Sequence, residues 1–303
     1  MTLSLLLPLT PSTPTHVGCG KTYSSLSSKL SFDDHPPQTI HPAQDLPAAF
    51  DWRSMNGTNY ITSPSYQMLP SQCGSCWAFA STGALADRYK IALRNEHPDI
   101  VLSVQSLLDC GSDAGSCNGG NALAAYEYIF DSGGITDSTC LPYKGVDNSN
   151  WAEVSCTDRI CQKCDRFGTC SYTPQASLQT LYKLDSYGWV EGVNDMKAEL
   201  INGPIACLMY AHSEDFESYT GGIICDETEY DGITHVVVVT GWGVSDDGIE
   251  YWRVKNSFGT EWGENGFYRV EVGKNIYNME TNECSYAVPS TDTIENIKKR
   301  AAL

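Results

Sequence analysis

The chain has 303 residues, 41% of them hydrophobic, enough to bury one large core or two lobes packed together. It carries 37 Asp and Glu against 19 Lys and Arg, an acidic balance that repels phosphate backbones and argues against a nucleic-acid partner. Thirteen cysteines are too many for a reduced cytosolic chain, so an oxidising secretory route is expected; the odd count leaves at least one thiol unpaired in a monomer.

Residues 1–18 hold a short apolar run, Leu3 to Leu9, without the usual positive charge ahead of it, and read as an atypical signal or leader. Residues 19–46 are rich in Ser, Pro, Thr and His without periodicity and read as a short pro-segment. The texture changes at Leu46, and Phe50-Asp51-Trp52-Arg53 opens a folded body expected over 47–288. Asn56-Gly57-Thr58 fits a glycosylation acceptor. Apolar residues at Trp77, Phe79, Ala80, Ala84, Leu85, Tyr89 and Ile91 predict a helix over 76–93 with a wide buried face. Two further helices are expected over 102–108 and 122–130. Residues 138–175 hold five cysteines and few apolar runs, a stapled loop region.

Past about residue 180, β-branched and aromatic runs separated by Gly or Asp predict strands over 204–210, 235–241, 250–254 and 266–272. A helical lobe over about 70–175 and a strand-rich lobe over about 180–285 make an α+β chain with a cleft between its halves. Residues 289–303 are charged and read as a solvated tail. No segment approaches the roughly 20 apolar residues that span a bilayer, so no membrane span is expected.

The chemistry concentrates at Cys73-Gly74-Ser75-Cys76-Trp77, where three readings compete. Cys-x-x-Cys alone suggests a redox pair; both cysteines could be structural; or Cys76 sits at a helix N-terminus, where the macrodipole favours a thiolate. The redox reading needs a preceding parallel strand, and none is visible. A catalytic thiolate needs an imidazole and something to orient it. His16, His35 and His41 lie in the leader, and His97 and His212 in polar contexts. His235 stands at the mouth of a strand, where a structural role is the rival reading. Asn256, at a strand end among aromatics, can accept from one imidazole nitrogen and leave the other facing the thiol.

Four motifs now stand in order: Cys73-Gly74-Ser75-Cys76-Trp77-Ala78-Phe79, Cys117-Asn118-Gly119-Gly120, His235 with Gly241-Trp242-Gly243, and residues 256–266. With them the chain resembles the papain family of cysteine peptidases over roughly residues 47–288. The resemblance implies a two-lobe papain-like fold with a helical left lobe and a β-barrel-like right lobe. It implies that Cys76 is the nucleophile, His235 its acid–base partner and Asn256 the residue that orients His235. Gly119 and Gly120 would offer backbone hydrogen bonds to an extended substrate, with Trp262 also on the substrate side. Their rival reading is a tight turn beside a disulfide. No cofactor and no metal is called for, and the partners expected are peptide or protein substrates of a monomer.

Within the family the chain resembles the cathepsin X branch, also called cathepsin Z. The similar stretches include 46–52, Leu102-Ser103-Val104-Gln105, Asp109-Cys110, Gly203-Pro204-Ile205 and Tyr219-Thr220-Gly221-Gly222-Ile223. A three-residue insertion in that branch makes Gln67 the oxyanion donor, with Gln72 the rival. The same resemblance implies single-residue carboxypeptidase action, a lysosomal or secreted site of action, and a zymogen in which Cys19 bonds the nucleophile. An incidental thiol is the rival for Cys19. It further implies the disulfides Cys73–Cys117, Cys110–Cys156, Cys140–Cys161, Cys164–Cys170 and Cys207–Cys284, leaving Cys225 unexplained. Zinc at Cys156, Cys161, Cys164 and Cys170 is the rival for the stapled cluster.

Two departures bear on function. The branch's inserted loop carries a His for the substrate's terminal carboxylate, and here Met68 stands in its place, beside Leu69 and Pro70. Phe258 replaces the usual Trp and still shields the Asn256–His235 pair. An endopeptidase is therefore the second hypothesis, and an adhesion or binding protein on the same fold the third. Paired histidines of an occluding loop are absent, which argues against removal of dipeptides.

Overall fold

The computed structural model describes residues 46–147, 160–164, 169–174, 181–225 and 228–301. The leader, nearly all of the pro-segment with Cys19, and Cys156 lie outside these residues.

In chain order the first half comprises β1 (Phe50–Asp51), α1 (Cys76–Ala92), α2 (Val104–Cys110), β2 (Gly115–Ser116), β3 (Gly119–Gly120), α3 (Ala122–Asp131), β4 (Ile160–Cys164) and β5 (Cys170–Pro174). Buried positions on α1 run almost unbroken from Cys76 to Tyr89, so it is a central helix enclosed nearly all round rather than a surface helix with one apolar stripe. Such a helix must satisfy its own polar side chains. Arg88 does so by pairing with Glu199 at 2.7 Å and donating to the carbonyls of Gly203 and Pro204. The helix expected over 102–108 begins two residues later because Ser103 is its N-cap, its side chain accepting from Ser106 N. Asn121 caps α3 in the same way through Ala124 N.

The second half holds β6 (Leu184–Val190), α4 (Val193–Leu200), β7 (Ile205–Met209), α5 (Glu214–Glu217), β8 (Ile223–Ile224), β9 (His235–Val244), β10 (Glu250–Lys255), β11 (Phe267–Glu271), β12 (Cys284–Pro289) and α6 (Thr291–Ala301). One sheet runs β6-β12-β7-β9-β10-β11-β8, antiparallel except at β11–β8, with β1 added on β9. β9 is central and buried from His235 to Gly243, which explains its unbroken apolar run. Its alternation serves two cores. Val236 and Val238 join the cluster built on α1, while Val237 and Val239 join the aromatic cluster on the other face. Gly241 is required where β1 crosses, because a Cβ there would run into the Phe50 carbonyl.

The segment expected as a solvated tail instead carries α6. Its start is tied down by Thr291, whose N and Oγ1 both donate to Asp185 Oδ2 at 2.9 Å. Thr293 is buried, and Ile294 packs on the first core. The high charge resides on the face left in water.

The three disulfides seen among the described residues, Cys73–Cys117, Cys140–Cys161 and Cys207–Cys284, are three of the expected pairs. Bonding of Cys161 to Cys140 removes that sulfur as a zinc thiolate. No helix among the described residues is long and apolar enough to cross a membrane.

Candidate active site

Three elements from distant parts of the chain supply the site. α1 begins at Cys76, and its N-cap, Ser75, makes no side-chain capping bond. The Ser75 Oγ is instead 2.8 Å from the Tyr143 hydroxyl. The first turn therefore keeps a helix N-terminus, with its dipole and N–H groups, directed at the Cys76 region. Ahead of it, the Cys73–Cys117 bond and the Gly74 N to Cys117 O hydrogen bond of 2.7 Å staple the loop to β3. Cys73 is thus no redox partner for Cys76.

The Trp77 Nε1 donates to Ser116 O at 3.1 Å, and its ring lies against Gly115 and Gly120. A Cβ on either glycine would collide with that ring or with neighbouring backbone. Gly119 and Gly120 are held in β3 against the first turn of α1, so the turn-by-a-disulfide reading describes the same geometry as the substrate-ledge reading.

His235 opens β9, which packs on α1. It is 2% exposed, and its Nε2 lies 2.8 Å from Asn256 Oδ1. The same Oδ1 accepts from Ser257 N at 2.8 Å. The second bond fixes which end of the amide faces the ring, so His235 Nε2 is the donor in this pair. Phe258 covers the imidazole at a centroid distance of 5.0 Å, and Phe216 stands 6.3 Å away. Half-buried Trp262 packs on both phenylalanines, behind the imidazole's aromatic cover. Burial pushes the His235 pKa down to about 4, with His212 adding to the depression and the Asn256 bond opposing it.

Cys76 is itself disulfide-bonded, and none of the three described disulfides includes it. Its sulfur is thereby masked as a nucleophile. Cys225, by contrast, is an exposed free thiol.

Gln67 is 1% exposed and held at several points. Its N donates to Ser257 O at 3.0 Å, its Oε1 accepts from Ser257 Oγ at 2.6 Å, and its Nε2 donates to Cys73 O at 3.2 Å. The Tyr143 hydroxyl donates to Gln67 O at 2.6 Å. Its rival, Gln72, is exposed. Between them the loop turns outward: Met68 is half-buried, Leu69 is 60% exposed, and Pro70 is exposed. Ser257 and Tyr143 were not singled out by the sequence. Ser257 had a signal, its place directly after Asn256. Tyr143 had none, since it meets Gln67 across 76 residues of chain.

A model of the papain family of cysteine proteases matches residues 46–288. Cathepsin Z of Onchocerca volvulus is 38% identical over 282 residues, covering 90% of this chain and 87% of that protein. Cathepsin L of Sarcophaga peregrina is 33% identical over 83% of this chain and 65% of its own length. Among solved structures, the digestive procathepsin L2 proteinase of Tenebrio molitor larval midgut superposes with a TM-score of 0.62 at 28% identity, covering 89% of this chain and 74% of that one.

Proposed function

The chain belongs to the papain family of cysteine proteases, and from that premise we propose that it is a carboxypeptidase removing single residues from peptide C-termini. The observation that carries the catalytic assignment is the fixed pair His235–Asn256, with His235 opening the strand that packs against the helix begun by Cys76.

Once its disulfide is reduced, Cys76 shares a proton with His235, and the thiolate is favoured by the helix dipole and by the imidazolium. The sulfur attacks the scissile carbonyl carbon, and the oxyanion takes hydrogen bonds from Gln67 Nε2 and the Cys76 N–H. His235 Nδ1 gives its proton to the leaving amine, and the carbonyl re-forms as a thioester. His235 then takes a proton from water as hydroxide attacks the thioester, and the released thiolate regenerates the pair. Asn256 keeps the ring in its tautomer throughout, and Gly119 and Gly120 hold the substrate backbone. Cys19 is the thiol proposed to mask Cys76 in the zymogen, with secretion or a lysosome as the destination.

The exopeptidase reading is supported by likeness to a cathepsin Z and by the outward loop of Met68, Leu69 and Pro70 beside Gln67, which would narrow the cleft. Met68 favours a second reading, an endopeptidase, because a thioether cannot donate to a terminal carboxylate. One comparison separates them. The reduced enzyme and Cys76→Ser each meet a peptide as the free acid and as the C-terminal amide, with products read by mass spectrometry. Stepwise loss from the free acid alone supports carboxypeptidase action; internal cuts in both peptides support the endopeptidase. Equal behaviour of enzyme and variant sinks the peptidase reading.

A further inference from the structure

A cavity of about 480 Å³ lies beside the catalytic elements and takes no part in the chemistry above. Cys76, His235, Gln67 and the Gly119–Gly120 ledge are not among the residues that line it. Its mouth is at the surface, between Tyr66, 44% exposed, and Val101, 55% exposed. Its inner end reaches Val238 and Lys255, both buried. The volume falls within the ~300–1,000 Å³ of pockets that take small molecules.

The helix α1 keeps part of this space open. Gly83 lines the cavity from the interior of that helix, where glycine is a poor helix former. Beyond its own stretch of helix, a Cβ there would meet only the Lys255 side chain, 3.7 Å from Nζ and 3.9 Å from Cε. The ammonium beside that gap has three N–H donors and two acceptors, Asp87 Oδ2 at 2.6 Å and Thr62 Oγ1 at 3.1 Å. One donor is therefore left over, on a charged side chain only 6% exposed.

These features define a ligand. Lys255 and Asp87 already neutralise each other, so a charged ligand would add a buried charge without a partner. A neutral oxygen acceptor satisfies the remaining N–H instead. Further out, Phe79 and Tyr143 line the cavity as an edge-to-face pair at 4.8 Å, and Leu102 and Val104 add to an apolar wall. We propose that the cavity binds a small neutral aromatic molecule carrying a carbonyl group, whose oxygen accepts from Lys255 Nζ while its rings lie against Phe79 and Tyr143. Asn256 and Ser257 also line the cavity, so an occupant borders the segment that holds His235 and Gln67.

The test uses the full chain with its disulfides intact, benzophenone as the ketone, and diphenylmethane as a similar shape without the oxygen. Equilibrium dialysis reads the affinities, so the result does not depend on the peptidase reading. The expected result is saturable binding of benzophenone at one site. Diphenylmethane should bind more weakly by roughly tenfold or more, the range for a hydrogen bond to a charged group. Gly83→Leu fills the gap with a better helix former and should weaken benzophenone binding by a similar factor, with the circular dichroism of the natural chain. Irradiation of the benzophenone complex should label peptides carrying Gly83, Val238 or Lys255. If Gly83→Leu fails to fold, the two probes and the label still decide. Equal affinities for the two probes, undiminished binding to folded Gly83→Leu, a label confined to other peptides, or no binding up to the solubility limit would each overturn the proposal.

Discussion

The Lys255 ammonium lies 2.6 Å from Asp87 Oδ2 and also donates to Thr62 Oγ1 at 3.1 Å, with Asp87 fully buried and Lys255 6% exposed. Asp87 is on the helix that Cys76 begins, and Lys255 immediately precedes Asn256. The pair therefore ties the helix that Cys76 begins to the end of β10, next to Asn256. Asp87 Oδ1 also accepts from Thr62 N and Oγ1, both at 2.7 Å, so the carboxylate is well saturated with donors.

Removing one partner strands the other charge in the core. Lys255→Met is expected to cost about 3–5 kcal/mol in denaturant unfolding. The double variant with Asp87→Asn should lose less than the two single losses combined. Additive losses would mean that the two groups are not coupled.

Ser257 Oγ holds Gln67 Oε1 at 2.6 Å, so its effect on catalysis should pass through Gln67. Gln67→Ala should lower kcat by roughly 100-fold with little change in KM. Ser257→Ala should give a smaller loss of the same kind, and no further loss when added to Gln67→Ala. Multiplicative losses in the double variant would show that Ser257 acts elsewhere.

His235 makes a pH prediction for the form in which Cys76 is disulfide-bonded. Its folded pKa of about 4 lies below its ordinary value of 6.5, so the unfolded chain binds the extra proton first. The neutral ring's stabilising contribution is complete above pH 6.5 and is lost as pH falls towards 4, by at most about 3 kcal/mol. The stability gap between this form and His235→Gln should shrink over that window. A gap independent of pH would refute the shift.

Because Cys76 is engaged and Cys225 is exposed and free, iodoacetamide should label Cys225 and not Cys76 before reduction. A mild reductant should then expose Cys76 together with activity. In Cys19→Ser, Cys76 should be labelled without reductant. Persistent masking of Cys76 in that variant would assign the partner to another cysteine.

Met68→His tests the carboxylate anchor. A charge-assisted hydrogen bond contributes about 1.5–3 kcal/mol, so KM for free-acid peptides should fall by roughly tenfold or more while amidated peptides are unaffected. An equal change on both would place residue 68 away from the terminal carboxylate.

Local chemistry explains which parts were legible from the residues. The helix at Cys76, the strand at His235 and the glycine pair each announce themselves through periodicity, apolar runs or backbone demands confined to a few neighbours. The strands β6 and β12 did not: Leu184–Val190 alternates poorly, and both earn their place by pairing with each other. The α6 helix was hidden because its charge outweighs Ile294 in any local reading.

The order of Cys76, His235 and Asn256, the acidic balance and the abundance of cysteine were determined by the sequence alone, because each depends on composition or on short motifs. Tertiary structure decided what those residues meet. It set Ser257 and Tyr143 on Gln67, Asp87 on Lys255, and Asn121 on Glu283. These contacts join residues up to 190 positions apart. A hydrogen bond or ion pair depends on angstrom distances that only the packed lobes impose, and spacing along a chain carries no record of them.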